Sequence, residues 1–232
     1  MEKDEIEKEE NALCWIKKNS HTVIEKFANS AEFVSEAHPT TLFMAGSPGA
    51  GKTEFSKRFI ERFSQKPIRI DADEIRSVCP GYSGENAYIY QKAANKGVNI
   101  LYDYALKNNV SVILDGTFAY GGAFENIERS LAHSRKVQIF FVYQEPLQAW
   151  DFTKKREATE CRNVPKDVFI DSFFKSRENV NGAKEKFGQK IELNLVIKDF
   201  EKDLEKLELN IDSVDHYIGK DYNREDLNSL LK

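Results

Sequence analysis

The segment with the clearest chemistry runs from Gly46 to Thr53 and reads Gly-Ser-Pro-Gly-Ala-Gly-Lys-Thr, which fits the pattern G-x-x-x-x-G-K-[ST]. It follows an apolar run that begins at Thr41 and precedes a stretch with helical spacing, the context that a phosphate-binding loop requires. Glycines let the chain turn tightly enough for successive backbone N–H groups to surround a triphosphate. The sequence therefore predicts a nucleoside triphosphate site.

Each position of this loop has an expected task. Lys52 is expected to reach the β- and γ-phosphates, and the Thr53 hydroxyl to ligate Mg²⁺. The first turn of the next helix adds the positive end of its dipole. The predicted nucleotide-binding residues are Gly46, Ser47, Pro48, Gly49, Ala50, Gly51, Lys52 and Thr53.

Two acidic motifs follow other apolar runs. Asp71-Ala-Asp73 ends one run, and a carboxylate there can accept the proton of an attacking hydroxyl, which makes Asp73 a candidate base and Asp71 a candidate substrate contact. Alternatively, Asp73 caps the following helix, and one residue can do both. Asp115-Gly-Thr117 ends a second run, where Asp115 could orient Mg²⁺ and Thr117 could bind substrate, although a tight turn also fits.

A basic cluster, Lys154-Lys-Arg156 with Arg162, could supply arginines that stabilise charge on a transferred phosphoryl group. A solvated basic face and a phosphate-backbone patch are the alternatives. The whole chain has 34 Lys and Arg against 38 Asp and Glu, a net charge of −4, which argues against a nucleic-acid partner.

The elements that must position these residues are apolar runs that alternate with helical stretches. Such alternation predicts an α/β fold: a parallel sheet of about five strands with helices on both faces, as in P-loop NTPases and kinases. The predicted strands are 41–45, 67–71, 110–115, 136–143 and 191–197. Because ligands of such sheets bind at the carboxyl ends of the strands, the loop and both acidic motifs should meet at one edge.

The remaining sequence suggests two flanking segments and a compartment. We expect residues 1–38 to be helical and to pack on a core of residues 39–200, with 201–232 as a C-terminal helical extension. Residues 1–38 could instead form a docking surface for a partner protein or inhibit the site. Three widely spaced cysteines, an acidic N-terminus without signal-peptide features and no membrane-length apolar run favour a cytoplasmic protein.

These motifs together resemble the zeta toxin family of bacterial toxin–antitoxin systems, over roughly residues 1–200. The phosphate loop, Ile70-Asp-Ala-Asp73, Asp115-Gly-Thr117 and Arg162-Asn-Val-Pro165 match the family's elements in order and approximate spacing. The resemblance implies a Mg²⁺–ATP kinase that phosphorylates the 3′-hydroxyl of the aminosugar in UDP-N-acetylglucosamine, which blocks cell-wall precursor synthesis. It also implies a partner antitoxin that covers the ATP site.

The resemblance assigns roles residue by residue. It implies that Asp73 is the catalytic base, that Thr117 contacts the sugar nucleotide, and that Arg162 and Arg156 stabilise charge. Asn99 stands where the family has a sugar-gripping Glu, so it keeps hydrogen-bonding capacity without the charge. Phe118-Ala119 stands where the family often has Gly-Arg.

These departures leave the acceptor open. The residues expected to bind ATP match the family's motifs closely, whereas those expected to contact the sugar match them poorly. The alternatives are a kinase for a nicotinamide dinucleotide, a nucleotide, an antibiotic or a polynucleotide end, or a nucleotide-dependent switch without an acceptor. The Asp-x-Asp and Arg-x-x-Pro elements weigh against the switch, because a switch needs no acceptor base.

Overall fold

A computed structural model of the chain describes residues 3–160, 163–199, 204–219 and 222–232. Within these ranges one six-stranded sheet has the order β2-β3-β1-β4-β5-β6. The first five strands are parallel, and β6 pairs antiparallel with β5. The strands are β1 (Thr40–Ala45), β2 (Ile68–Asp71), β3 (Val112–Asp115), β4 (Lys136–Gln144), β5 (Glu192–Asp199) and β6 (Leu204–Glu208).

Helices connect successive strands and cover both faces of the sheet. They are α1 (Lys3–Lys18), α2 (Ser20–Ala28), α3 (Lys52–Phe59), α4 (Ala72–Ser77), α5 (Gln91–Lys107), α6 (Ala123–Ala132), α7 (Pro146–Glu160), α8 (Lys166–Phe187) and α9 (Arg224–Leu230). The predicted α/β class and P-loop kinase-like architecture are therefore confirmed.

The sheet divides the core into two layers because successive side chains of a strand point to opposite faces. In β1, Phe43 joins the larger cluster with α1, α2, α5, α6 and α8, whereas Leu42 and Met44 join a smaller one. In that smaller cluster Phe55 of α3 packs on the opposite face, with the Phe59 ring 4.7 Å from that of Phe140.

The N-terminal helices pack on α5. Ile16 of α1 and Val23 of α2 are buried in the larger cluster, and Lys92 of α5 donates a 2.7 Å hydrogen bond to Glu9. Residues 3–28 thus contribute to the main core. The division of the chain at residues 38 and 200 stays a prediction.

The C-terminal part differs from the helical extension expected for 201–232. Leu204–Glu208 forms strand β6 because the free edge of β5 supplies backbone hydrogen-bonding partners that a sequence pattern does not show. Only Arg224–Leu230 forms an α-helix in the described part of this segment, with an Asn223–Asp226 capping box. No helix within the described ranges has the length and apolar character needed to cross a membrane.

Candidate active site

The phosphate loop connects β1 to α3 and requires glycine at three points. Gly46, Gly49 and Gly51 have φ values of +130°, +72° and +85°. A Cβ on Gly46 would lie 2.3 Å from the carbonyl oxygen of Val142, and one on Gly49 would lie 2.0 Å from that of Ala149. Since no real Cβ contact is that short, the loop needs glycine at these sites for space as well as for conformation.

The loop is folded around its own lysine. Lys52 Nζ donates a 2.6 Å hydrogen bond to the carbonyl oxygen of Ser47, and the Ala50 N–H donates to the same oxygen at 3.3 Å. Lys52 and Thr53 are the first two residues of α3, so both lie at the positive end of that helix. The ammonium and the helix terminus together favour an anion inside the loop.

Asp115 connects the phosphate loop to the second acidic strand. Its Oδ2 accepts a 2.8 Å hydrogen bond from Ser56 Oγ and a 2.6 Å hydrogen bond from Arg69 Nη1. Ser56 Oγ also lies 3.1 Å from the backbone carbonyl oxygen of Thr53, so its one hydroxyl proton is shared between that oxygen and Asp115. Asp115 stands in register with Asp71 on β2.

Arg69 holds the two acidic strand ends together. Its Nη1 also pairs with Asp71 Oδ2 at 3.0 Å, and its Nη2 pairs with Glu74. Burial lowers the pKa of the Arg69 guanidinium, but the charges of Asp115, Asp71 and Glu74 outweigh it and raise the pKa above its ordinary value. The guanidinium is therefore a permanent cation among three carboxylates.

The two carboxylates of Asp71-Ala-Asp73 do different things. Asp71 is the N-cap of α4, because its Oδ1 accepts a 2.8 Å hydrogen bond from the Asp73 N–H. Asp73 is thus inside the helix, and the alternative that Asp73 is the cap is wrong. The Asp73 carboxylate instead accepts a 2.9 Å hydrogen bond from Arg76 Nη1.

Arg76 extends this network to α5. Its Nη2 donates to Gln91 Oε1 at 2.7 Å, and Gln91 Nε2 donates to Asn95 Oδ1 at 2.8 Å. Gln91 is the first residue of α5, at the same end of the sheet as the phosphate loop. A series of hydrogen bonds, two of them through the backbone groups of Thr53 and Asp73, therefore runs from the phosphate loop to the amino-terminal end of α5.

Thr117 is attached to the phosphate loop through the backbone. Its carbonyl oxygen accepts a 3.1 Å hydrogen bond from the Gly46 N–H. The next residue, Phe118, is buried with φ of +60°, a conformation that bulky residues rarely adopt. Its ring packs edge-on against Phe43, and its carbonyl oxygen accepts a 2.8 Å hydrogen bond from Asn179 of α8.

Two predicted residues lie at the edge of this arrangement. Arg156 is exposed on α7, two turns beyond Ala149, which contacts Gly49. Asn99 is exposed on α5, one turn beyond Asn95, so it continues the polar face that Gln91 begins. Arg162 lies outside the described residues.

A model of the zeta toxin family matches residues 24–210, about four-fifths of the chain. The chain belongs to the zeta toxin family. Members of the family are kinases, so membership indicates a toxin of the phosphotransferase class. A search of curated protein sequences gave no match.

Solved structures share the fold of this zeta toxin family member. The PezAT toxin–antitoxin system of Streptococcus pneumoniae aligns with a TM-score of 0.65 at 15% identity, covering 100% of this chain and 93% of that chain. A native complex of AvrRxo1-ORF1 with ORF2 aligns at 0.58 and 14% identity, covering 90% and 70%. The same complex with ATP aligns at 0.59 and 13%, covering 91% and 70%.

The donor groups at the strand ends fit Mg²⁺ handled together with a nucleotide. No three His, Cys, Asp or Glu side chains cluster as metal ligands within the described ranges. Mg²⁺ in phosphate-transfer sites needs few protein ligands, because phosphates and waters complete its shell. The Thr53 hydroxyl and the Asp115 carboxylate are oxygen donors of the required kind, and Ser56 contacts both the Asp115 carboxylate and the Thr53 backbone carbonyl.

Four residues of this network were not predicted from the sequence: Ser56, Arg69, Arg76 and Gln91. Three carry a weak signal in their spacing. Ser56 and Arg76 follow Thr53 and Asp73 by one helical turn, and Arg69 shares a strand face with Asp71. Gln91 carries no such signal, because its contact with Arg76 depends on how α4 packs against α5.

Proposed function

We propose that this zeta toxin family member is a cytoplasmic kinase that transfers the γ-phosphoryl group of ATP to a hydroxyl of a UDP-sugar. The proposed acceptor is the 3′-hydroxyl of UDP-N-acetylglucosamine, whose phosphorylation would block cell-wall precursor synthesis. The observation that carries the proposal is the unbroken polar network from the phosphate loop through Ser56, Asp115, Arg69 and Asp71 to Asp73. It supports a phosphate donor and an acceptor base at one edge of the sheet.

The donor half of the site would bind ATP through the loop of residues 46–53. Lys52 would leave the Ser47 carbonyl and contact the β- and γ-phosphates, while α3 directs its positive end at them. Thr53 and Asp115 would hold Mg²⁺, which neutralises charge that develops on the phosphates. Support comes from the related fold of AvrRxo1-ORF1:ORF2, which has been solved with ATP.

The acceptor half would be built on β2, α4 and α5. Asp73 would accept the proton of the attacking hydroxyl, and Asp71, Thr117 and Asn99 would contact the substrate. Arg156 and Arg162 would approach the transferred group and stabilise its charge. Little covalent chemistry is asked of the protein, so positioning and charge stabilisation would provide most of the rate.

Two further parts of the proposal concern an antitoxin and an alternative phosphate acceptor. An antitoxin that covers the ATP site is supported by the PezAT neighbour, which is a toxin–antitoxin system. A different acceptor is the second candidate, because Asn99 offers an exposed neutral amide where the family has a carboxylate. The AvrRxo1 neighbours add to that candidate by sharing the fold.

The test is mass spectrometry of the purified protein after incubation with Mg²⁺–ATP and a pool of UDP-sugars, nicotinamide dinucleotides, nucleosides and antibiotics. We expect one added phosphate on UDP-N-acetylglucosamine, and none with Asp73→Asn, which keeps the side-chain shape but removes the base. A phosphate on another compound would retain the kinase and replace its acceptor. ATP binding without any phosphorylated product would refute the proposal in favour of a nucleotide-dependent switch.

A further inference from the structure

Arg76 is an unusual residue for its surroundings. Its side chain is only 5% exposed, yet it carries a full charge in the second turn of the short helix α4. The guanidinium spans two partners on different elements, Asp73 Oδ1 at 2.9 Å and Gln91 Oε1 at 2.7 Å. It is therefore the physical connection between the proposed base and helix α5.

One nitrogen of the buried Arg76 side chain is not hydrogen-bonded to any residue that the structure describes. Its Nε is buried and has no hydrogen-bond partner among the described residues. A buried donor without an acceptor destabilises a fold, and an apolar side chain of similar size would avoid this. The neighbouring wall is apolar in part, since Ile75 of α4 is fully buried against α5. An arginine at this position therefore indicates a role other than packing.

We propose that Arg76 is a positioning residue, which fixes the Asp73 carboxylate for proton transfer and is itself fixed by Gln91. The inference rests on the proposed function of Asp73 as the acceptor base. One guanidinium nitrogen engages one carboxylate oxygen, so it limits rotation of the Asp73 side chain. The second nitrogen holds the amide of Gln91, so α5 sets the direction of the guanidinium plane.

The same contact supplies charge as well as direction. The charged residues that neighbour Asp73 among those described include Arg69 and Asp71 of β2 and Glu74 of α4, and Arg69 is engaged with Asp71, Glu74 and Asp115. Arg76 Nη1 lies 2.9 Å from Asp73 Oδ1, so its positive charge is in direct contact with the proposed base.

A planar arginine suits this task better than a lysine. Its nitrogens point to two partners at fixed angles, whereas an ammonium on a flexible stem supplies charge from a single point. Arg76→Lys therefore separates the two contributions, because it keeps the charge and loses the bridge to Gln91. Gln91→Leu does the reverse, since it keeps the guanidinium and removes one of the two groups that orient it.

The experiment compares Arg76→Met, Arg76→Lys and Gln91→Leu with the wild-type protein, using the acceptor that mass spectrometry identifies. Lys92→Met is the matched control, because it removes a neighbouring cation of α5 that pairs with Glu9 away from Asp73. We expect Arg76→Met to lower kcat by about 10²-fold, in the range of general-base effects, with the Kd for ATP unchanged. Arg76→Lys and Gln91→Leu should lose about tenfold, and Lys92→Met less than twofold.

The split between kcat and KM separates positioning from simple damage to the fold. In Arg76→Met the loss should lie in kcat, with the KM values for ATP and the acceptor within about twofold of the wild type, and Arg76→Lys should recover about tenfold of that loss. If Arg76→Met does not fold, the kcat values of Arg76→Lys and Gln91→Leu still decide whether Arg76 positions the Asp73 carboxylate. Unchanged kcat in both, or an equal loss of ATP binding and turnover, would overturn the inference.

A measurement without turnover keeps this inference distinct from the proposed function. In crystal structures, the Asp73 carboxylate should hold one orientation in the wild type and lose it in Arg76→Met. The same orientation in both proteins would overturn the inference, even if the kinase is active. A wild-type protein that transfers no phosphate would refute the proposed function, and the structures would still show whether Arg76 holds the carboxylate.

Discussion

Substitution of Gly49 by alanine should disturb the site through α7. The new Cβ would lie 2.0 Å from the carbonyl oxygen of Ala149, so the helix must retreat by about 1.4 Å to reach ordinary contact at 3.4 Å. At a φ of +72° an alanine also costs about 1–2 kcal/mol, and overpacking adds about 1–3 kcal/mol. A displacement of about 1 Å near reacting groups can cost about 10²-fold in rate.

The assay for Gly49→Ala combines urea unfolding with phosphate transfer from Mg²⁺–ATP. We expect a loss of about 2–5 kcal/mol in the free energy of unfolding, and a fall in kcat of about 10²-fold in the fraction that remains folded. Gly188→Ala is the control, because Gly188 has φ of +54° and a Cβ there would meet no atom within 4 Å. It should lose stability and keep its turnover. Wild-type kcat in folded Gly49→Ala would refute the inference that close contact between α7 and the phosphate loop positions the reacting groups.

Three further predictions concern the donor half and the C-terminus. Lys52→Ala should abolish transfer with a thermal midpoint, measured by circular dichroism, close to that of the wild type, because Lys52 is only half-buried at the first position of α3. Ser56→Ala should raise the Mg²⁺ concentration for half-maximal turnover by about 10–100-fold, whereas Ser77→Ala, which removes an exposed hydroxyl, should not. Leu227→Ala should cost about 2–5 kcal/mol in urea unfolding, because Leu227 is fully buried against α7 and α8; an unchanged midpoint would contradict that packing.

The sequence was sufficient for those parts of the fold that local pattern determines. Glycine spacing and the apolar run before it located the phosphate loop, and apolar runs located five strands within a few residues of their observed ends. Parallel topology then brought Asp71 and Asp115 side by side, because strands of a parallel sheet share one carboxyl edge. These inferences needed no knowledge of individual side-chain contacts.

The remaining features depend on tertiary partners. Strand β6 forms because β5 offers it an edge, and its own residues read as polar helix. Helix α5 starts only at Gln91, after a turn in which the Asn86 side chain accepts a hydrogen bond from the Ser83 N–H and donates one to the Gly81 carbonyl oxygen. Arg76 acquires its second contact only when α4 meets α5, so the sequence around it could not indicate a partner fifteen residues away.

The hydrogen bond from Asn179 to the carbonyl oxygen of Phe118 fixes one point on α8, about which the helix can pivot. Asn179 lies thirteen residues after Lys166, so the distance along the helix from this point to the start of α8 is about 20 Å. A rotation of about 5° about this point would displace the first residue of α8 by about 1.7 Å. Phe118 directly follows Thr117, the proposed substrate contact, so a small adjustment of the turn on substrate binding would be magnified where α8 begins. Substitutions at Phe118 or Asn179 should consequently alter the rate of phosphate transfer, although neither residue is a proposed substrate contact.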